Sequence, residues 1–153
     1  MRYRPGLRAG SLCIVLSLVV AAVSCNSSRF SVDVSDIWPG RSLPSDASAI
    51  GMIHRGGDFC AHSVVRGGVT FSVDVVCGAT TIVYLQTQDR GFRTPEGLVV
   101  GGNLAKARSI SRFDSEDHCA IKLSSGWVAK ASQTNAATGC AQTIEYFEVS
   151  VTP

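Results

Sequence analysis

The sequence lacks an apolar run long enough to cross a membrane. Its longest such run, residues 12–23, falls short of the roughly 20 residues that a spanning helix needs. Arg2, Arg4 and Arg8 precede this run, and small residues follow it at positions 21–24. A basic start, a short apolar stretch and small residues are typical of a secretory signal. We therefore predict that residues 1–24 are a signal peptide and that the mature protein is exported.

The sequence also lacks an excess of either charge. The whole chain carries 14 Lys and Arg against 12 Asp and Glu. Three of the arginines belong to the predicted signal peptide, so the mature domain is close to neutral. A neutral domain offers no electrostatic basis for binding nucleic acid or an anionic membrane surface. We expect no nucleic-acid partner.

Motifs of the common catalytic classes are missing. There is no G-x-S-x-G nucleophile elbow and no H-x-x-x-H pair, and no lysine follows the glycines at 97, 101 and 102 as a phosphate loop would require. The acidic cluster at 114–117 lacks the glycine and distal glutamate of a calcium loop, which favours a solvated turn. A small hydrolase built from dispersed carboxylates remains the alternative. We predict no enzymatic activity, no cofactor and no metal.

Cysteine is present in a pattern that indicates oxidation. Cys13 lies in the signal peptide, and four cysteines remain after Cys25. An even set in an exported small domain indicates two disulfides, with three connectivities open. We favour the pairs Cys60–Cys77 and Cys119–Cys140, because each brackets one predicted strand pair. A four-cysteine zinc site is disfavoured because no C-x-x-C spacing occurs.

Thiol–imidazole catalysis is disfavoured by the same cysteines. His62 lies two residues from Cys60, and His118 adjoins Cys119. Either histidine could in principle activate its neighbouring thiol as a nucleophile. Oxidised cysteines carry no thiolate, however, so we do not expect this chemistry.

Alternating hydrophobicity predicts a mostly β domain over residues 49–153. Val69, Phe71, Val73 and Val75 alternate with polar residues, the pattern of a half-buried strand. Further strands are predicted at 58–65, 80–87, 118–123, 127–132 and 140–151, and Asn103 is predicted to cap a short helix over 103–110. We therefore expect an α+β fold: an antiparallel sheet of about six strands, one short helix and two disulfides.

The end of the signal resembles the lipoprotein box of bacteria. Residues 22–25 end in a small residue followed by Cys25, although Ala22 stands where leucine is usual. The resemblance implies that Cys25 is acylated, and Asn26 after it implies outer-membrane sorting. An ordinary signal cut near Ser24 is the alternative. Residues 25–48 are rich in Ser, Asp, Pro and Gly, which predicts a flexible tether and leaves open a short docking strand within it.

A second resemblance covers residues 69–113. The turn at 94–101, which has the form T-x-x-G-L-x-V-G, is followed by a short helix, and the pair resembles a recurring unit of small, uncharacterised lipoproteins and periplasmic proteins of bacterial envelopes. The unit is also similar to those of β-lactamase-inhibitor-like domains and small outer-membrane assembly lipoproteins. Gly102 replaces the acidic residue usual in the unit. The resemblance implies no catalytic residues.

Candidate contacts with a protein partner lie on two predicted loops. We select Ser125, Gly126 and Trp127 from one loop, with Arg90 and Arg93 from the other, because aromatic residues and arginine dominate binding hot spots. For Trp127 itself we favour a position in the core over an exposed one at the loop. The leading hypothesis is a non-enzymatic module that binds a protein or an envelope component. The alternative is an inhibitor or immunity protein against a wall-degrading enzyme, because Ser125-Gly126 resembles the cleft-plugging loops of periplasmic lysozyme inhibitors.

Overall fold

The computed structural model describes residues 31–54, 57–112, 119–134 and 139–151. The predicted signal peptide, Cys25, the acidic cluster at 114–117 and His118 lie outside these residues.

Seven strands and one helix follow one another along the described chain. They are β1 (Ser48–His54), β2 (Asp58–Arg66), β3 (Val69–Val76), β4 (Ile82–Thr87), α1 (Leu104–Ile110), β5 (Ala120–Lys122), β6 (Val128–Lys130) and β7 (Tyr146–Ser150). The strands form one antiparallel sheet in the order β1-β2-β3-β4-β7-β6-β5. The predicted fold class is confirmed, with one strand more than expected. The additional strand is β1, whose side chains are mostly exposed and therefore show no buried face in the sequence.

The β2–β3 hairpin is the longest pairing in the sheet. Its turn consists of Gly67 and Gly68, with φ angles of 55° and 78°. Two-residue hairpin turns of this type need positive φ at both positions, which glycine adopts without steric cost. The glycines therefore determine the register that places Phe71 opposite Val64, with both side chains in the core.

The core lies on one face of the sheet. Phe71, Leu85, Phe147 and Ala129 come from four successive strands of the β3-β4-β7-β6 order, and each is 0% exposed. The last strand, β7, lies between β4 and β6 and so joins strands β1 to β4 and the β5–β6 hairpin into a single sheet. Helix α1 contributes Leu104 and Ala107 to the same core, and Asn103 caps it as predicted by accepting a hydrogen bond from the Ala105 N–H at 2.7 Å.

Residues 31–47 cover part of this core and are not a free tether. Val34 and Ile37 are buried among the core side chains. The backbone of the segment also bonds to the start of β4, from Gly40 N–H to Ile82 O at 2.7 Å and from Ile82 N–H to Arg41 O at 2.8 Å. The mostly polar composition of the segment gives no indication that Val34 and Ile37 are buried, and it is their burial that fixes the conformation of the segment. The packed domain therefore begins before residue 49.

The final strand is shorter than the alternation from 140 to 151 predicted. Residues before Tyr146 bond to the loop that precedes α1: Gly101 donates to Ile144 O at 2.7 Å, and Ile144 donates back to Gly102 O at 2.8 Å. This part of the chain therefore closes the turn at 94–102 onto the sheet instead of extending β7.

Two disulfides join the pairs that the sequence favoured. Cys60 is bonded to Cys77, and Cys119 is bonded to Cys140. Disulfides of this kind indicate an oxidising, exported compartment. No helix in the described part of the chain has the length and hydropathy of a bilayer-spanning segment.

Candidate functional site

The turn at 94–102 has a structural role. Thr94 is 1% exposed, and its hydroxyl accepts a hydrogen bond from the Leu98 N–H at 3.2 Å. The Thr94 N–H donates to Leu98 O at 2.9 Å, and Gly97 donates to Thr94 O at 2.8 Å. These hydrogen bonds are made within the turn and stabilise it. The Glu96 side chain instead bonds to a different loop.

Glu96 holds the hairpin turn between β5 and β6. Its carboxylate accepts hydrogen bonds from the Ser125 N–H at 2.7 Å, the Ser125 hydroxyl at 2.9 Å and the Ser124 hydroxyl at 3.3 Å. Burial by itself raises the pKa of this carboxyl, but the hydrogen bonds, led by the one from the Ser125 N–H, outweigh burial and leave the pKa of Glu96 below its ordinary value. The turn is consequently fixed by an ionised side chain from another loop.

Trp127 attaches the same turn to the hydrophobic core. It is 2% exposed and packs against Phe92, with ring centroids 4.8 Å apart, and against Trp38 at 5.5 Å in an edge-to-face arrangement. The structure therefore places Trp127 in the core and not on the surface as a protruding anchor. Half-buried Trp38, from the 31–47 segment, is the indole nearer to solvent.

Gly126 permits the close approach of the two tryptophans. Its φ is +92°, and a Cβ at this position would lie 3.3 Å from Cζ2 of Trp38. Any other residue would be strained in its backbone and would press on the indole. Gly126 is thus a packing residue that sets the position of Trp38.

A concave surface lies where these loops meet the 31–47 segment. Its volume is about 510 Å³. We call it the loop groove; Trp38, Arg41, Arg93, Pro95, Ser125 and Trp127 are among its lining residues. The structure therefore brings together three of the five candidate contacts. Gly126, which lies close to Trp38, and exposed Arg90 are not among the lining residues.

The groove carries two exposed arginines. Arg93 donates to Gly97 O at 3.0 Å, which orients its guanidinium. Arg41 is exposed in the 31–47 segment and lines the groove together with Trp38, whose carbonyl accepts the Arg41 N–H at 2.9 Å. Asp33 also lines the groove, and hydrogen bonds from Ser35 hold the pKa of Asp33 below its ordinary value. The groove can accordingly receive a carboxylate near the arginines and a hydrogen-bonding group near Asp33.

Arg66 serves the fold and not the groove. Its guanidinium bonds to Asp36 at 2.8 Å and to Asp46 at 2.8 Å, and both aspartates belong to the 31–47 segment. These partners raise the pKa of Arg66 far above its ordinary value. The ion pairs tie the segment to the β2–β3 hairpin, although exposure of the two aspartates limits their contribution to stability.

The histidines and cysteines that were considered for catalysis have other partners within the described residues. His54 Nδ1 contacts Asp58 at 2.8 Å on the surface, and His62 Nδ1 contacts Cys60 O at 3.1 Å. Cys60 and Cys119 are both oxidised, so neither provides a thiolate. Within the described ranges no group of three or more metal-binding side chains occurs.

Sequence reasoning missed Trp38, Arg41 and Glu96. Trp38 was visible only as one half of an apolar pair inside a polar stretch, and Arg41 carried no signal. Glu96 occupies a variable position of the turn motif, and its partners lie about thirty residues further along the chain. Only the folded structure shows that Trp38, Arg41 and Ser125 line one groove and that Glu96 holds Ser125 in place.

Comparisons with known proteins supply no assignment: no family model, no curated protein and no solved structure matches this chain.

Proposed function

We propose that this protein is a non-enzymatic binding module of the bacterial cell envelope that docks a carboxylate-bearing segment of a protein partner in the loop groove. The observation that carries the proposal is the preorganised turn at 124–126, which is held by hydrogen bonds to Glu96 and by the packed pair of Trp127 and Trp38. A rigid loop loses little conformational entropy on binding, so less of the interaction free energy is offset by ordering the interface.

The charge of the groove indicates the chemistry of the partner. Arg41 and Arg93 both line it and are exposed, and arginine recognises carboxylates through parallel hydrogen bonds. Half-buried Trp38 lines the same groove and offers an apolar contact. An acidic and aromatic or aliphatic peptide segment fits both features.

The proposed setting is the periplasmic face of the outer membrane, with the protein anchored there through acylated Cys25. Its support is the pattern of the leader, the residues at 22–25 and the two disulfides. The turn motif at 94–101 adds the resemblance to small envelope proteins. Metabolic labelling with an alkyne fatty acid tests the anchor: we expect label on the wild-type protein and none on Cys25→Ala.

The second candidate is an inhibitor or immunity protein against a wall-degrading enzyme. The observation that favours it is again the fixed Ser124–Ser125 turn, because a loop that enters a catalytic cleft must hold its conformation there. In this reading the turn, and not a groove-bound peptide, makes the central contact.

Site-specific photo-cross-linking in the native envelope tests the binding surface. A photoreactive residue at Pro95, which lines the groove, is compared with one at Val76, which is 47% exposed at the end of strand β3. We expect a discrete adduct with one protein from position 95 only. The adduct should disappear in the double variant Arg41→Glu, Arg93→Glu. Equal adducts from both positions, or an adduct that survives the charge reversal, would refute the proposal.

Identification of the adduct separates the two candidates. If the partner is a wall hydrolase, the purified protein should inhibit it at equimolar concentration, and Glu96→Gln should weaken inhibition by loosening the turn. If the partner is a structural envelope protein, the same hydrolases should be unaffected.

A further inference from the structure

The two edge strands of the sheet, β1 and β5, are protected from pairing to different degrees. An edge strand presents unpaired backbone N–H and C=O groups, and proteins blunt such edges with short strands, charges, proline, bulges or a covering element. Strand β5 has only three residues and ends at exposed Lys122. The carbonyl of Lys122 also accepts a hydrogen bond from the Ser111 hydroxyl, at the end of α1, at 2.7 Å. The β5 edge is therefore short, charged and partly covered.

Strand β1 has one bulge and no other protection of this kind among the described residues. Its seven residues, Ser48–His54, include no Asp, Glu, Lys, Arg or Pro. It pairs with β2 alone, and within the described ranges no backbone hydrogen bond outside the sheet involves it. The bulge lies between Ala49 and Gly51, and residues 51–54 pair regularly with β2. At roughly 3.4 Å for each residue, the open edge is about 24 Å long.

Two apolar side chains on β1 meet water. Ile50 is 64% exposed and Met52 is 57% exposed, and they are the two most exposed of the large apolar side chains in the described chain. Scattered apolar side chains are ordinary on a protein surface. Here, however, both lie on a strand whose backbone has one open side. A second strand paired with β1 would cover these side chains and satisfy the backbone groups together.

Gly51 lies between these two side chains, where nothing in the monomer requires glycine. It is not among the glycines with positive φ, and a Cβ added to it would meet no atom within 4 Å. Glycine inside a strand weakens the strand and often marks a bulge or a place where another chain approaches closely. The type of bulge that needs glycine has that residue at positive φ, which Gly51 does not have. The glycine therefore favours the approach of another strand.

Antiparallel pairing of β1 with itself matches residue types best when it is centred on Gly51. Ile50 then lies opposite Met52 of the second copy, and Ala49 lies opposite Ile53, so apolar side chains face apolar side chains. The space above Gly51 is open to Ile53 of the second copy, its diagonal neighbour. Centring the pair one residue away in either direction instead sets Ile50 or Met52 opposite a polar residue at the end of the strand.

From these observations we infer that two copies of the protein associate through β1, as a two-fold pair of edge strands that continues one sheet into the other. The strand carries no Asp, Glu, Lys or Arg, so no such charges of like sign meet across the two-fold axis. Pairing along seven residues lies at or below the lower end of specific interfaces, about 1,200 Å². The dimer should therefore be reversible, with the monomer present in dilute samples. No residue of β1 lines the loop groove, so the inference does not depend on the groove or its partner.

Sedimentation velocity of the oxidised mature protein tests the association. Every sample carries Cys25→Ser, because a free thiol at this position would itself link two copies. We expect monomer at about 1 µM and mostly dimer at about 500 µM, as for weak interfaces of this size. Met52→Lys should remain monomeric at the higher concentration, because it places a charge in the pair. Val65→Lys is the matched control, since Val65 is 56% exposed but lies on β2, which has a neighbour on each side, and it should dimerise like the wild type.

A wild-type protein that stays monomeric at about 500 µM would overturn the inference. So would a Met52→Lys protein that dimerises like the wild type, or loss of the dimer in Val65→Lys, because either result would place the contact elsewhere.

A disulfide at the centre of the pair tests the register and remains decisive if Met52→Lys does not fold. Opposite Cα atoms in an antiparallel pair lie about 4.5–5.5 Å apart, within the range that a disulfide spans. Gly51→Cys should therefore form a disulfide-linked dimer under mild oxidation, seen on a non-reducing gel, whereas Val65→Cys should not. No linked dimer from position 51, or equal linking from position 65, would refute the pairing.

Discussion

Ile37→Ala measures how firmly residues 31–47 belong to the domain. The composition of this stretch predicts a tether, whereas Ile37 is 0% exposed in the core. Truncation removes three carbon atoms, and at about 0.8 kcal/mol for each the loss of transfer free energy is about 2.4 kcal/mol. Incomplete collapse of the vacated space adds to this loss, within the range of about 2–5 kcal/mol seen for such truncations.

The assay is urea unfolding of the oxidised mature protein, followed by tryptophan fluorescence. A urea dependence of about 1–3 kcal/mol per molar converts the expected loss into a fall in the midpoint of about 1–2 M. This is a large fraction of the total stability of a domain of this size, about 5–15 kcal/mol.

Ile50→Ala is the control, because it removes the same atoms from a side chain that is 64% exposed. It should cost less than about 1 kcal/mol, the span of strand propensity. If Ile37→Ala and Ile50→Ala unfold at the same urea concentration, the 31–47 segment contributes no core packing and the reasoning is refuted.

Three further outcomes are expected. The pKa of Glu96 is lowered in the folded state, so its contribution to the free energy of unfolding is present above its unfolded pKa and is lost as the pH falls through its folded pKa. Glu96→Gln should therefore lower the urea midpoint at pH 7 and leave it equal to that of the wild type at pH 2. An equal difference at both pH values would contradict the role of Glu96 in holding the turn. Replacing Cys119 and Cys140 together by alanine should lower the free energy of unfolding by about 3 kcal/mol, which is the chain-entropy contribution of a loop of this length. Calorimetry measures the loss, and an unchanged melting temperature would argue against that disulfide. Gly126→Ala and Gly78→Ala both place a side chain at positive φ, and each should lower the free energy of unfolding by about 1–3 kcal/mol. Only Gly126→Ala should shift the tryptophan emission, because a Cβ at Gly78 meets no atom within 4 Å.

Local patterns predicted much of the fold. Alternation over Val69 to Val75 identified the central strand, Gly67-Gly68 identified the hairpin turn, and Asn103 identified the start of the helix. Each of these features depends on residues close together in the chain, so a linear reading is sufficient. The exposed edge strand β1 left no such pattern and was missed.

The candidate site was predicted less completely. Ser125, Trp127 and Arg93 were selected for their chemical type, and the structure places all three in the lining of one groove. Arg90 was selected by the same criterion and lies outside that lining, because exposed arginines look alike in a sequence.

The sequence by itself determined the dominance of β structure and the cysteine pairs, since period-two alternation and cysteine spacing are properties of short segments. Only the tertiary structure decided that a polar stretch is anchored through Ile37 and that Glu96 clamps the turn at 124–126. Both outcomes depend on contacts between residues far apart in the chain. They arise because burial of a few apolar side chains, and the hydrogen bonds made around them, outweigh the local preferences of the segments that carry them.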